Sequence, residues 1–247
     1  MDGPMKRALI FALALCSLPV LIPAGVTQQM QAVLARKNAG GGGGGGDSPG
    51  TTSLVAWWDF DNTNDSHSTY NLIETGTPAY SSGVGTSSSG NYWTHPTVDN
   101  NWHTTDADCT YVVRYRGDSG AVNGQYVFAI QSNRNQIRWY ETTGGTMYEI
   151  SNVNIVSGDN QTEGTWYLAI VRYNSTTDDA DVLVNDAAPT TSTGNGVHDY
   201  SGGDLKVPDP GGSPFSYDFL AFYNRRLTDA ECTWLYNSGA TRVYGDL

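Results

Sequence analysis

The chain has 247 residues, 25 of them acidic and 13 basic, for a formal net charge of -12. Binding to phosphates needs clustered Lys and Arg, and no basic stripe occurs, so nucleic acid is excluded as a partner. Gly 29, Tyr 15 and Trp 7, among abundant Thr, Ser and Asn, describe short strands joined by many turns and argue against a helical or α/β protein.

The first 26 residues read as an address or an anchor. Lys6 and Arg7 precede an uncharged apolar run from Ala8 to Val26, the order of a signal peptide. An uncleaved membrane anchor is the competing reading, because the run approaches the roughly 20 residues that span a bilayer; Pro19 and Pro23 weigh against it. Residues 27–53 form a short segment and a linker, in which the unbroken run Gly40 to Gly46 has little conformational preference and acts as a tether. The expected location is secreted or in the cell envelope, with a virion surface as the alternative. With Cys16 removed in the leader, Cys109 and Cys232 remain. An oxidising compartment would let them pair, but each also fits the role of a small buried apolar residue.

From Leu54 onward, strands are expected at "LVAWWDF", "YNLIE", "CTYVVRYR", "QYVFAIQ", "QIRWYE", "MYEIS", "TWYLAIVRY", "DVLVND" and "FSYDFLAFY", separated by Gly, Asn, Asp and Pro. Residues 54–247 therefore read as one all-β domain, a two-sheet antiparallel jelly-roll sandwich. Trp57 and Trp58 point to opposite faces of the first strand, so at least one is core. One short C-terminal helix follows: Thr228 as N-cap, Glu231 as capping-box partner, Leu227 and Cys232 as hydrophobic staple, and Gly239 as terminator. Strand alternation puts Asp218 on one face with Leu220 and Phe222, where a carboxylate needs a partner.

Two segments carry candidate site residues. "GNYWTHPTVDNNWHTT" gathers Tyr92, Trp93, His95 and Trp102 between turn residues, and aromatic faces are what sugar rings stack on. Trp93 and Trp102 also fit a core role. His67, His95, His103 and His198 sit in turn-rich segments with no nucleophile arrangement near them and read as surface residues. The turn "DNTNDSH" after the first strand concentrates oxygen donors.

"LVAWWDFDNTNDSHSTYNL", "TWYLAIVRYNSTTDDADVLVND" and "YDFLAFYNRRLTDAECTWLY", in that order and spacing, resemble the laminin G-like members of the concanavalin A-like lectin/glucanase jelly-roll superfamily. The "DSH" and "LYNSG" variants are also similar to those of tailed-bacteriophage virion proteins and marine bacterial surface proteins. The resemblance implies a structural calcium held by Asp218 and Asp65, helped by Asp61 or Asn64; a turn of this composition suits a cation that takes about 6 to 8 oxygen ligands. The alternative is that Asp218 accepts hydrogen bonds from the backbone of that turn. Glucanases of the superfamily resemble an E-x-D-x-x-E pattern. Here Glu141 and Glu149 have no matching aspartate, so a non-catalytic module is expected. It would bind a glycan or cell-surface receptor, or decorate a larger virion or envelope assembly through residues 1–46.

Overall fold

The computed structural model describes residues 47–98, 107–130, 135–139, 147–150, 153–156, 160–195, 203–208 and 213–247. Two antiparallel sheets face each other. The eight-stranded sheet runs in the order β13 (Thr190–Ser192), β12 (Asp179–Val184), β11 (Trp166–Asn174), β6 (Cys109–Gly117), β15 (Phe215–Tyr223), β4 (Val84–Thr86) and β3 (Ala79–Ser81). β1 (Leu54–Trp58) pairs with the second half of β15, beyond the stretch that β4 occupies. The seven-stranded sheet runs β10 (Val153–Val156), β9 (Met147–Ile150), β8 (Asn135–Arg138), β7 (Tyr126–Ile130), β14 (Gly203–Val207), β5 (Tyr92–Val98) and β2 (Ile73–Thr75). The antiparallel sandwich read from the sequence is therefore the observed architecture.

The long strands of the eight-stranded sheet are apolar on both faces because both faces are covered. One face, with Trp58, Tyr111, Val113, Val171, Tyr217, Leu220 and Phe222, packs against the second sheet. The outer face, with Trp57, Val112, Ile170, Phe219, Ala221 and Tyr223, packs beneath a C-terminal helix, α1 (Asp229–Tyr236), through Leu227, Cys232 and Leu235. Both tryptophans of β1 are thus core, one on each side, and Trp57 stacks on Phe219 at 4.6 Å. Burial on both faces favours continuous hydrophobic runs over alternation. The two cysteines do not pair with each other and are buried on opposite sides of the sheet, Cys109 between the sheets and Cys232 under the helix.

The capping box of α1 forms as expected: Thr228 Oγ1 accepts from the backbone N–H of Glu231 (3.3 Å), and Glu231 accepts from that of Thr228 (2.7 Å). The helix ends earlier than expected, at Asn237 in the left-handed conformation (φ 47°), which Asn tolerates nearly as well as Gly. Six strands lack an apolar run long enough to be read from sequence: β3, β4, β5, β10, β13 and β14. The segment "YWTHPTV", read as turn-rich, is β5. Its Pro96 falls at the register shift opposite β14, between Leu205 and Gly203, where a missing N–H disrupts no regular ladder.

Candidate functional site

The face parity expected for Asp218 is overturned by one extra residue. The β15–β6 register slips between Tyr217 and Phe219, a bulge that puts Asp218 on the outer side, away from Leu220 and Phe222. There Asp218, 1% exposed, accepts a hydrogen bond from Arg114 Nη1 at 2.5 Å. Arg114 also donates to Thr241 Oγ1 (2.7 Å) and the carbonyl of Gly239 (2.7 Å). A buried charge is tolerated when its counter-charge and remaining hydrogen bonds are all supplied, and this pair ties the sheet to the C-terminal segment.

Asp65 does what was considered for Asp218. One carboxylate oxygen accepts from the backbone N–H of Trp57 (3.0 Å) and of His67 (2.9 Å); the other accepts from the N–H of Tyr70 (3.2 Å) and the hydroxyl of Ser68. The turn after β1 is thereby latched to β1. Asp61 and Asn64 are exposed on the same turn. A calcium ion shared by Asp65 and Asp218 does not fit these groups: the first carboxylate is filled by four N–H and O–H donors, and the second faces a guanidinium. Among the described residues, no three His, Cys, Asp or Glu side chains converge as a metal-binding group.

The aromatic candidates are also redistributed. Trp93 is 0% exposed between the sheets, packed edge-on against Phe60 (5.0 Å) and Tyr217 (5.8 Å), with its indole N–H donated to Tyr80 Oη at 2.6 Å. It has no face to offer a sugar. Tyr92 and His95 are half-buried on β5, and the His95 ring meets the Tyr70 ring edge-on at 5.6 Å. Trp102, His103 and His198 lie outside the described residues. His67 is a half-buried neighbour of Tyr244, its Nδ1 3.2 Å from the phenol oxygen.

The site assembled by the fold lies elsewhere, on the outer face of the eight-stranded sheet beside the start of α1. Thr110, Arg172, Asp181 and Thr191 stand opposite one another on β6, β11, β12 and β13. Asp181, 2% exposed, accepts from Arg172 Nη2 (2.8 Å), from Thr191 Oγ1 (2.7 Å) and from Arg226. Arg172, 4% exposed, also donates to Asp229 Oδ1 (2.6 Å) and to the carbonyl of Leu227 (3.0 Å). Thr110 secures the connecting loop by donating to the Arg225 carbonyl (2.8 Å) and accepting from the Leu227 N–H (3.0 Å).

This charged floor underlies an open cleft of about 520 Å³, walled by Asp179, Pro189, Thr191, Arg226, Thr228 and Asp229, within the range of ~300 to 1,000 Å³ typical of small-ligand pockets. A second hollow of about 320 Å³ adjoins it, sharing Pro189 and Asp229 and extending over Ala187, Ala188 and Leu183. Burial disfavours ionisation of Asp181, but the hydrogen bonds from Thr191 and Arg226 and the Arg172 charge outweigh it, holding the carboxyl below its usual range. Burial pushes the Cys232 thiol, at the edge of the second hollow, up to about 12. The cleft therefore rests on fixed hydrogen-bonding groups and an ionised carboxylate, and the neutral thiol borders only the second hollow. The sequence signal for this site was Arg172 within "YLAIVRYN" and Asp181, the second Asp of "DADVLV", charges inside apolar strands.

No family model matches the chain, and no curated protein sequence matches it. Solved structures match through the fold. The binding domain of Paraclostridial mosquitocidal protein 1 superposes with a TM-score of 0.62 at 13% identity, over 76% of this chain and 53% of that one. Domain 4 of an extracellular GH43 arabinanase from Geobacillus stearothermophilus, solved with arabinotriose, gives 0.61 at 16% identity over 74% of this chain and 98% of that domain. The binding domain of botulinum neurotoxin DC, solved with SialylT, gives 0.59 at 11% identity over 76% and 51%. The chain thus spans about half the length of the two toxin fragments. At these identities the likeness establishes the β-sandwich fold alone.

Proposed function

We propose that this chain is a non-catalytic carbohydrate-binding module, of the laminin G-like kind its sequence resembles, and that it holds its ligand in the cleft between β12, β13 and α1. The observation that carries the proposal is the Arg172–Asp181–Arg226 ladder beneath an open polar cleft, into which the part-exposed Arg226 and exposed Asp229 side chains extend it. Planar guanidinium and carboxylate groups locked by one another supply directional hydrogen bonds at little ordering cost, which suits ligands rich in hydroxyl groups. The ionised Asp181, already accepting three hydrogen bonds, is unsuited to act as a general acid, and the neutral, buried Cys232 is unsuited to act as a nucleophile. Both favour binding over catalysis.

The test is a glycan array probed with the full-length chain, its Arg226→Ala variant and Trp93→Phe. Binding that survives Trp93→Phe and is lost in Arg226→Ala, with both variants showing the far-ultraviolet circular dichroism and cooperative melt of a folded domain, is the expected result. Binding that ignores Arg226→Ala removes the cleft from the proposal.

Exposure outside the cell or on a particle is part of the same proposal. Arg225 fastens the entry of the domain by donating to the carbonyl of Pro49 (2.9 Å), so the preceding glycine run would join a firmly held domain to whatever holds residues 1–46. Intact-mass analysis of the protein from its native source distinguishes the outcomes: a start near Gly25 means secretion, and a start at Met1 or Met5 means retention in an envelope or virion assembly. Among the described residues no helix is long and apolar enough to cross a membrane.

A further inference from the structure

We infer that the cleft selects an uncharged saccharide and discriminates against anionic ones such as sialylated or uronate-containing glycans. This deepens the carbohydrate-binding reading and rests on it. Two buried donors in the lining have no acceptor: Nε of Arg172 and Nε of Arg226. Arg172 is 4% exposed, and its other guanidinium nitrogens are committed to Asp181, Asp229 and the Leu227 carbonyl. Neither Nε is open to the cleft; the guanidinium that a ligand can reach with its lone pairs is that of Arg226, whose side chain is 32% exposed.

The charge around the donors limits which lone pairs are acceptable. The cleft is lined by two guanidinium groups, of Arg172 and Arg226, and three carboxylates, of Asp179, Asp181 and Asp229, one negative charge in excess on a chain whose formal net charge is -12. Asp181 pairs with both arginines and Asp229 with Arg172, so two carboxylates match the two cations and Asp179 is the charge in excess. A ligand carboxylate or sulfate would therefore meet no unpaired cation and would approach Asp179 and Asp229, the latter 79% exposed. Like charge brought together in a partly desolvated cleft opposes binding.

A hydroxyl group satisfies both demands at once, accepting from a guanidinium N–H and donating to a carboxylate. Pro189, exposed on the wall, supplies apolar surface for the C–H face of a sugar ring. The adjoining hollow, lined by Ala187 and Ala188 together with Asn185, Asp186 and Thr233, continues the cleft, which gives room for a second sugar unit.

Isothermal titration of the full-length chain with free neutral oligosaccharides built from glucose, galactose, arabinose and N-acetylglucosamine, each beside a sialylated or uronate-containing counterpart, tests the inference. The expected result is binding of at least one neutral oligosaccharide, at least ten-fold tighter than its anionic counterpart at low salt, with the gap narrowed several-fold in Asp179→Asn. An anionic oligosaccharide that binds as tightly as its neutral counterpart, or more so, overturns the charge inference and leaves the carbohydrate-binding reading standing. Absence of binding to every member, or binding unaltered by both Asp179→Asn and Arg226→Ala, overturns the cleft reading and this inference with it.

Discussion

Replacing Asp218 by Ala is expected to cost about 3 kcal/mol of stability. Removing one member of a buried ion pair costs about 3 to 5 kcal/mol, and the lower end applies because Arg114 keeps its bonds to Thr241 and to the Gly239 carbonyl. For a domain of this size each kcal/mol moves the Tm by about 2 to 4 °C, so a fall of roughly 6 to 12 °C is expected in a thermal melt followed by tryptophan fluorescence. The double variant Asp218→Leu with Arg114→Met removes both charges and should recover most of that loss. The melt repeated in excess chelator separates the ion pair from a calcium bridge: with Arg114 as the partner, the wild-type Tm is unchanged. A loss under 1 kcal/mol for Asp218→Ala, or a chelator-induced fall of several degrees in wild type that disappears in Asp218→Ala, refutes the pairing.

Asp181 also makes stability depend on pH. Its folded pKa lies below the unfolded value, so its stabilisation is present in full above about pH 4 and is lost as pH falls through the depressed folded value; Asp181→Asn should flatten the acid limb of urea-unfolding stability between pH 5 and 2. Thr228→Ala removes the N-cap and should cost about 0.5 to 2 kcal/mol, read as a lower urea midpoint. A Cβ at Gly117 would lie 2.8 Å from the Trp139 ring, so Gly117→Ala should cost about 1 to 3 kcal/mol by overpacking, with altered tryptophan emission. Trp93→Ala empties a core position and should cost about 3 to 5 kcal/mol, a loss that equilibrium denaturation would measure and that surface stacking alone would not produce.

The long strands of the eight-stranded sheet were legible because "CTYVVRYR", "TWYLAIVRY" and "FSYDFLAFY" are apolar runs bounded by turn residues, and α1 because its capping residues agree with one another. β3, β4 and β13, three residues each of mostly small or polar type, and β14, whose "GDLKV" alternates apolar and charged residues over only five positions, were hidden because strands so short owe their pairing to neighbours and not to their own pattern. Trp93 was ambiguous for the same reason. A tryptophan among polar residues looks like a binding platform until Phe60 and Tyr217, far away in sequence, are seen to close over it.

The most informative residues were charges that break an apolar strand, and they are understood only in pairs. Asp218 on β15 attracts attention by itself, yet its meaning depends on Arg114 on β6, and Arg172 on β11 depends in the same way on Asp181 on β12. All four point to the outer face of the eight-stranded sheet, where α1 and the C-terminal segment rest. Alternation predicts that direction for Arg114, Arg172 and Asp181; for Asp218 a single bulged residue reverses the expected face. The Arg114–Asp218 pair is closed over by the Thr241 and Gly239 contacts and so serves the fold. The Arg172–Asp181 pair lies at the edge of that cover, where β13 and the start of α1 leave the cleft open. Both pairs are buried, the Arg172 and Asp181 side chains 4% and 3% exposed against 10% and 1% for Arg114 and Asp218. What sets the second pair apart is that Arg226 and Asp229, 32% and 79% exposed, carry its charges out to the surface.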